Sequence, residues 1–264
     1  MPFTLSHAAA VLPGLRRSGR GRGLLVASGL VAGSFAPDLA FFAASAVPGA
    51  MAFGTFTHSV TGVLTVDVLL AGVLAGVWLL VREPVVALLP GRWRGRVYGV
   101  VRGEVWRGRR VLPLAGAFWV SAVAGAATHV VWDSFTHHDR WGTDAFPALA
   151  RTGWGGQPWF AVLQYGSSVV GLVVLGWFVG RALREVEPVG VPGVALSGRG
   201  RMGVLCLLGG AVVVGAGQRL LLWLSYDPPV STVLDMVPAL CFGAGTGLLC
   251  GLLLYAAALR LRHP

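Results

Sequence analysis

Residues 128–138 read Thr-His-Val-Val-Trp-Asp-Ser-Phe-Thr-His-His. On a helix, His129 and Asp133 lie four residues apart and project from one face, one turn above the other. An imidazole and a carboxylate stacked this way can hold one divalent metal from a single helix. His137 extends the row by another four residues if the helix runs that far. A lone His-x-x-x-Asp is more simply read as a hydrogen-bonded pair closing a helix end, so the metal reading depends on other parts of the chain. Three further positions bear on the choice. Asp38 follows Pro37 inside an apolar run; at membrane depth an acid is a functional-site candidate, and after a proline it is also a natural Asx turn. His58 stands in Thr57-His58-Ser59 at the start of the next apolar run. His7 lies in the apolar segment 6–15, with Ser6 as a possible N-cap.

The elements that must position these residues are membrane helices. The 264 residues are 55% hydrophobic and 12% charged, against about 25% charged in a soluble domain. Long uncharged runs follow one another, which predicts an all-α, polytopic integral membrane helix bundle. About six transmembrane helices are expected, at 24–47, 60–81, 111–133, 159–181, 202–224 and 232–259, plus a short N-terminal half-inserted helix. They form a single transmembrane domain over 1–264, with a motif-bearing part at 1–181 and two further spans within 202–259. Residues 1–46 do not read as a cleaved signal peptide, because the charged region is too long and an acid breaks the apolar core. Asp67, inside the second run, is either a deeper group behind the site or the partner of a hydroxyl on a neighbouring helix, and the second role is the simpler. Ser121, two turns below His129, reads as a helix-surface position. Ser167 and Ser168 suit helix-packing contacts. Arg219 is expected to pair with Asp227 or Asp235. Cys206, Cys241 and Cys250 have no ligand spacing and read as small buried hydrophobes. No repeat with a period of 20–50 residues is visible.

The net charge of +10 is carried entirely by arginine. Arginines in loops between apolar runs face anionic headgroups, so the expected partner is membrane lipid and not nucleic acid. The stretch 82–110, with Trp93, Tyr98 and Trp106 among its arginines, including Arg107, suits an amphipathic interfacial segment. With six spans and the N-terminus inside, eighteen of the 21 arginines fall on the inner side. The positive-inside rule then places both termini in the cytoplasm. His58, His129 and Asp133 fall at outer span ends and Asp38 in the outer half of its span. His7 joins them only if its short helix inserts. Mixed imidazole and carboxylate donors suit zinc, with manganese or iron as alternatives, and two or more carboxylates permit a pair of metals that clamps a phosphate and activates water.

Several motifs together carry a resemblance. They are the opening Met-Pro-Phe-Thr-Leu-Ser-His-Ala-Ala-Ala-Val-Leu-Pro, Ala36-Pro37-Asp38, Thr57-His58-Ser59, His129-Val-Val-Trp132-Asp133-Ser-Phe-Thr-His137 and Leu163-Gln164-Tyr165-Gly166-Ser167-Ser168. The chain resembles the bacterial membrane family called domain of unknown function 4184 over roughly residues 1–180, and more weakly beyond. Ala8 departs from that family, which usually has proline there. The pattern is also similar to a broader group of predicted membrane-bound metal-dependent hydrolases. That similarity implies His7, Asp38, His58, His129 and Asp133 as metal ligands, with His137 as a further ligand or proton-transfer group beside Asp133. It implies a multi-pass protein of the bacterial inner membrane that hydrolyses a lipid-linked or other phosphoester-type small-molecule substrate. Arg140, Gln164 and Tyr165 would then hold the substrate head. The competing reading is a non-enzymatic protein, a transporter or a metal-stabilised structural module, using the same intramembrane acids and histidines. His138 and His263 lie off the row of His129 and are expected to stay outside the site.

Overall fold

The computed structural model describes residues 3–47, 49–103, 106, 108–192, 196–227 and 232–262. Met1, Pro2, Arg107 and His263, named above, lie outside the described residues. The chain opens with a 3-10 turn at Thr4–His7, a single helical turn α1 at Ala8–Val11 and a second 3-10 turn at Leu12–Gly14. Ser6 is not an N-cap: it sits within the first turn, and its hydroxyl donates to the Phe3 carbonyl at 2.7 Å. Helix α2 covers Ala27–Phe35, a 3-10 turn covers Ala36–Asp38, and α3 covers Leu39–Ala43. Pro37 lacks an N–H and cannot continue the α ladder, so the first expected span tightens into 3-10 geometry at the acid.

Helices α4 (Gly54–Thr57) and α5 (Val60–Leu64) follow, the latter N-capped by Ser59, whose hydroxyl accepts from the Gly62 N–H at 3.0 Å. Helix α6 runs over Val66–Ala87, and Thr65 before it has φ −126° and ψ −81°. This second interruption was not expected from the apolar pattern. The Thr65 hydroxyl donates to the Thr61 carbonyl at 2.6 Å, the local competition with the helix ladder that threonine can offer. The remaining helices are α7 (Gly91–Val101), α8 (Val111–Thr136), α9 (Trp141–Ala145), α10 (Trp159–Glu185), α11 (Gly198–Leu224) and α12 (Val237–Arg262). Among the described residues there is no strand, and five helical stretches are long and apolar enough to cross a membrane: α6, α8, α10, α11 and Val233–Leu261. The first expected span appears as a shorter apolar helix, Ala27–Ala43. The protein is an all-α helix bundle of membrane type.

The chain packs as two compact units. The first comprises Met1–Asp38, Thr55–Ala75 and Gly99–Val186. Its centre is the seam between α2 and α8, built from small residues at four-residue spacing. A Cβ on Gly33 would lie 2.3 Å from the Ala122 carbonyl oxygen, and one on Gly125 would lie 2.3 Å from that of Leu30. Only glycine permits backbones to approach so closely, the small-xxx-small packing of membrane helices. Ser121 is fully buried in this seam and is not a surface position. Its hydroxyl accepts from the Val26 N–H at 2.8 Å, at the start of α2. Ser121→Ala leaves that buried donor unpaired and is expected to cost about 1–3 kcal/mol. The measurement is a lowered thermal midpoint in detergent with bound metal unchanged, because no proposed donor moves.

The second unit comprises Leu39–Gly54, Gly76–Tyr98 and Glu187–Pro264. Helices α11 and α12 pair through another glycine seam, where a Cβ on Gly247 would lie 2.1 Å from the Ala211 carbonyl oxygen. Arg219 does not meet Asp227 or Asp235. Its Nη1 donates to the Ala44 carbonyl at 2.6 Å, and Asp235 instead accepts from the Thr232 N–H at 2.8 Å. The unpaired carbonyls at the end of α3 are the nearer demand, and an arginine on a facing helix meets it. Helix α7 is the amphipathic segment expected within 82–110, and Arg94 turns inward to donate to the Ala87 and Leu89 carbonyls. Cys206 and Cys250 are exposed and Cys241 is partly exposed. The expected burial of the cysteines therefore fails for two of three, since long apolar helices present much of their apolar surface outward.

Candidate metal centre

Helix α8 continues three residues past Asp133 to Thr136, so His129 and Asp133 share its inner face near its C-terminal end. The turn at Ala36–Asp38 brings Asp38 beside them, and the segment between α4 and α5 brings His58. Asp38, His58, His129 and Asp133 each offer one donor atom, and these four atoms all lie within 4.8 Å of one another. The separations are 3.3 Å from His129 Nε2 to Asp38 Oδ1, 3.4 Å from His129 Nε2 to Asp133 Oδ2, and 3.4 Å and 3.8 Å from His58 Nε2 to Asp133 Oδ2 and Asp38 Oδ1. All four residues are buried. His129 is fully buried, not at a water-facing helix end.

Hydrogen bonds on the far side of each ring fix which nitrogen faces the cluster. His129 Nδ1 lies 2.7 Å from the Ser34 carbonyl, so it carries the proton and Nε2 carries the lone pair in the neutral ring. The Thr57 hydroxyl donates to the Pro37 carbonyl at 2.7 Å, leaving its oxygen to accept from His58 Nδ1 at 3.3 Å. The His58 Nε2 lone pair then also faces the carboxylates. Such partners behind a ring are the usual means of orienting an imidazole ligand. Asp38 Oδ2 is held by the Thr4 hydroxyl at 2.6 Å, which turns Oδ1 toward the cluster.

Two lone pairs and two carboxylate oxygens converging in a buried space repel one another unless a cation lies among them. A protonated imidazole would be such a cation, and its charge-assisted hydrogen bonds run at about 2.7–2.9 Å. The exposed His138–Asp139 pair is shorter still, at 2.6 Å. The clustered pairs are longer by about half an ångström or more, and the clustered atoms Asp38 Oδ1 and His129 Nε2 have no hydrogen-bond partner among the described residues. Donors held about 2.0–2.1 Å from one tetrahedral ion stand roughly 3.3 Å apart. The donor set can therefore hold a metal ion.

His7 lies close but on the other carboxylate oxygen, with Nε2 3.4 Å from Asp133 Oδ1 and its ring stacked on that of His129 at 3.7 Å. It stands outside the four mutually close donors. His137 follows the end of α8, and its Nδ1 contacts the Asp133 backbone carbonyl at 3.0 Å, so the carbonyl and not an ion occupies that nitrogen. Burial lowers the His137 pKa to about 4, against the opposing pull of Asp133. His138 is exposed and outside the cluster. Asp67 is fully buried without the expected hydroxyl partner, and it interacts electrostatically with His129. A cavity of about 190 Å³ opens beside the cluster, lined by His58, Val130, Asp133, Ser134, Asp139, Arg140 and Trp141. Arg140 is thus at its wall, whereas Gln164 and Tyr165 are not among the lining residues. Ser167 and Ser168 act as packing contacts: the Trp132 indole donates to Ser167 Oγ at 2.9 Å, and the Phe3 N–H to Ser168 Oγ at 3.0 Å.

Thr4, Ser34 and Thr57 position the donors and were not singled out as site residues. Thr57 adjoins His58, which is a local signal. Thr4 and the Ser34 carbonyl carry none, because their partners are 34 and 95 residues away. No curated protein and no solved structure matches the chain at a significant level. The family model described as Domain of unknown function (DUF4184) matches residues 1–257, nearly the whole chain, and the protein belongs to that family.

Proposed function

We propose that the protein is a membrane-bound metal-dependent hydrolase that uses Asp38, His58, His129 and Asp133 to hold a divalent ion, zinc by preference. The spacing of these donors supports the reading: too long for His–Asp hydrogen bonds, matched to ligands around one ion. A divalent ion there supplies Lewis acidity, polarising a phosphoryl or carbonyl oxygen and acidifying water. The chain's own residues would do the rest. Arg140, at the mouth of the cavity, offers a planar fork of donors to an anionic head. Gln164 and Tyr165 are assigned to the substrate only if it extends beyond that cavity. His137 Nε2 is buried without a hydrogen-bond partner and is the atom free to pass a proton. A cavity of about 190 Å³ admits a phosphate-bearing headgroup and leaves an acyl or prenyl tail outside, which favours a lipid-linked substrate.

The arginine distribution supports a site at the outer side of a bacterial inner membrane, with both termini cytoplasmic. Reporter fusions at Arg96 and Gly153 should report opposite sides; the same side for both would overturn this orientation. The decisive experiment is elemental analysis of purified protein, followed by a panel of lipid phosphates with and without chelator. Chelator-sensitive phosphate release supports the hydrolase. The transporter reading draws on the second helix interruption at Thr65. Both interruptions fall within the first 65 residues, however, and not at matching places in two symmetric halves. Metal or ion flux through proteoliposomes without any hydrolysis would favour that reading.

A further inference from the structure

At the opposite end of α8 from the metal centre, about 35 Å along the helix axis from Arg110 to Asp133, lies a recess of about 490 Å³. Arg16, Arg20, Arg109 and Arg110 line it together with Leu24, Leu25 and Leu114. The volume is within the range of about 300–1,000 Å³ typical of small-molecule sites. We propose that this recess binds the phosphodiester headgroup of an anionic phospholipid. The proposal is independent of the metal centre and its chemistry.

The partners of the arginines here divide them. Arg17 is paired with Glu185, and Arg22 Nε donates to the Leu15 carbonyl at 3.0 Å. Neither lines the recess. The four that line it make no ion pair with any described residue, so among the described residues four guanidinium groups share one space without a counter-charge. Their mutual repulsion is relieved by an anion, and guanidinium forks match phosphate oxygens.

The backbone beneath them is fixed. Residues 15–21 form a tight hairpin, with the Arg16 N–H bonded to the Arg20 carbonyl at 2.7 Å and the Gly19 N–H bonded to the Arg16 carbonyl at 3.0 Å. Gly19 has φ +75°, and a Cβ there would lie 1.7 Å from the Val100 carbonyl oxygen. This position admits only glycine, and it pins Arg16 and Arg20 on one side of the recess. Arg109 and Arg110 close the other side at the start of α8.

The apolar lining selects an amphiphile over a free ion. Leu24 is 90% exposed, and Leu112, next to the recess on α8, is 85% exposed. Leucines left bare beside clustered arginines suit acyl chains below a headgroup, the pattern of basic pockets between membrane helices.

The test is native mass spectrometry of the full-length protein in neutral detergent, with phosphatidylglycerol, phosphatidylcholine and inorganic phosphate as probes. Phosphatidylglycerol should be retained at least about tenfold better than phosphatidylcholine. The Arg20→Gln/Arg110→Gln variant should weaken its binding roughly thirtyfold, taking about 1 kcal/mol for each basic residue. The equally charge-depleted Arg92→Gln/Arg199→Gln variant should retain it. Equal retention of phosphatidylcholine, or equal loss in both variants, would overturn the site in favour of diffuse attraction. Competition by equimolar inorganic phosphate would overturn the lipid assignment in favour of a free anion. Phenylglyoxal labelling of the wild-type protein in vesicles needs no variant to fold. Phosphatidylglycerol should protect the four recess arginines relative to phosphatidylcholine, and unprotected labelling would end the proposal.

Discussion

Asp133→Asn is expected, under the proposed function, to remove bound metal and hydrolytic turnover together. Asp133 is the hub of the cluster: Oδ2 faces His58 and His129, and Oδ1 faces His7. The amide preserves shape but withdraws one of two negative charges and replaces an acceptor with a donor. Removing several kcal/mol of charge stabilisation corresponds to a loss of at least about a thousandfold in turnover. Elemental analysis should show metal falling from about one ion per chain to near none in the same sample. This substitution is a cleaner probe than His129→Ala. His129 is fully buried and ties α8 to α2 through the Ser34 carbonyl, so its truncation leaves a cavity and buried carboxylates without their partner. Asp133→Asn that retains full metal occupancy would overturn the assignment of Asp133 as a donor.

Gly125→Ala is expected to damage the centre without touching a donor. The added Cβ would lie 2.3 Å from the Leu30 carbonyl oxygen and 2.7 Å from the Ser34 N atom. Both obstacles are backbone, so α2 and α8 must separate, at a cost of about 3 kcal/mol or more. His129 is the next residue along this face of α8, and Ser34 is the residue it bonds. Metal affinity should therefore fall about 10–100-fold, as for loss of a group that orients a ligand, together with the thermal midpoint. Gly116→Ala on the same helix meets nothing within 4 Å and should be neutral or slightly stabilising. Equal behaviour of the two variants would sink the argument.

The four clustered residues were legible because their residue types are costly where they stand. Asp38, His58, His129 and Asp133 are ionisable groups at the ends of apolar runs, and cost of that kind shows in one dimension. The helix identities followed from composition for the same reason, as did the break at Pro37, where a missing N–H is a property of one residue. The break at Thr65 left no such mark: the hydrogen bond from its hydroxyl to the Thr61 carbonyl is one that a threonine can equally well not make. Ser121 and Arg219 were misjudged because each acts on a backbone group from a distant segment, Val26 and Ala44. A backbone N–H or carbonyl has no sequence signature. His137 fitted the four-residue row but fell just past the helix end, where its ring turns back to the Asp133 carbonyl.

The bond from the Phe3 N–H to Ser168 spans 165 residues. It fastens the segment carrying Thr4 and His7 to α10, a helix that emerges from the ribosome long after the other parts of the site. Asp38, His58 and the α8 pair can meet once about half the chain is made, but the amino-terminal closure over them must wait for residues near 168. The centre is therefore finished late and from a distance, the slow kind of contact in any folding sequence.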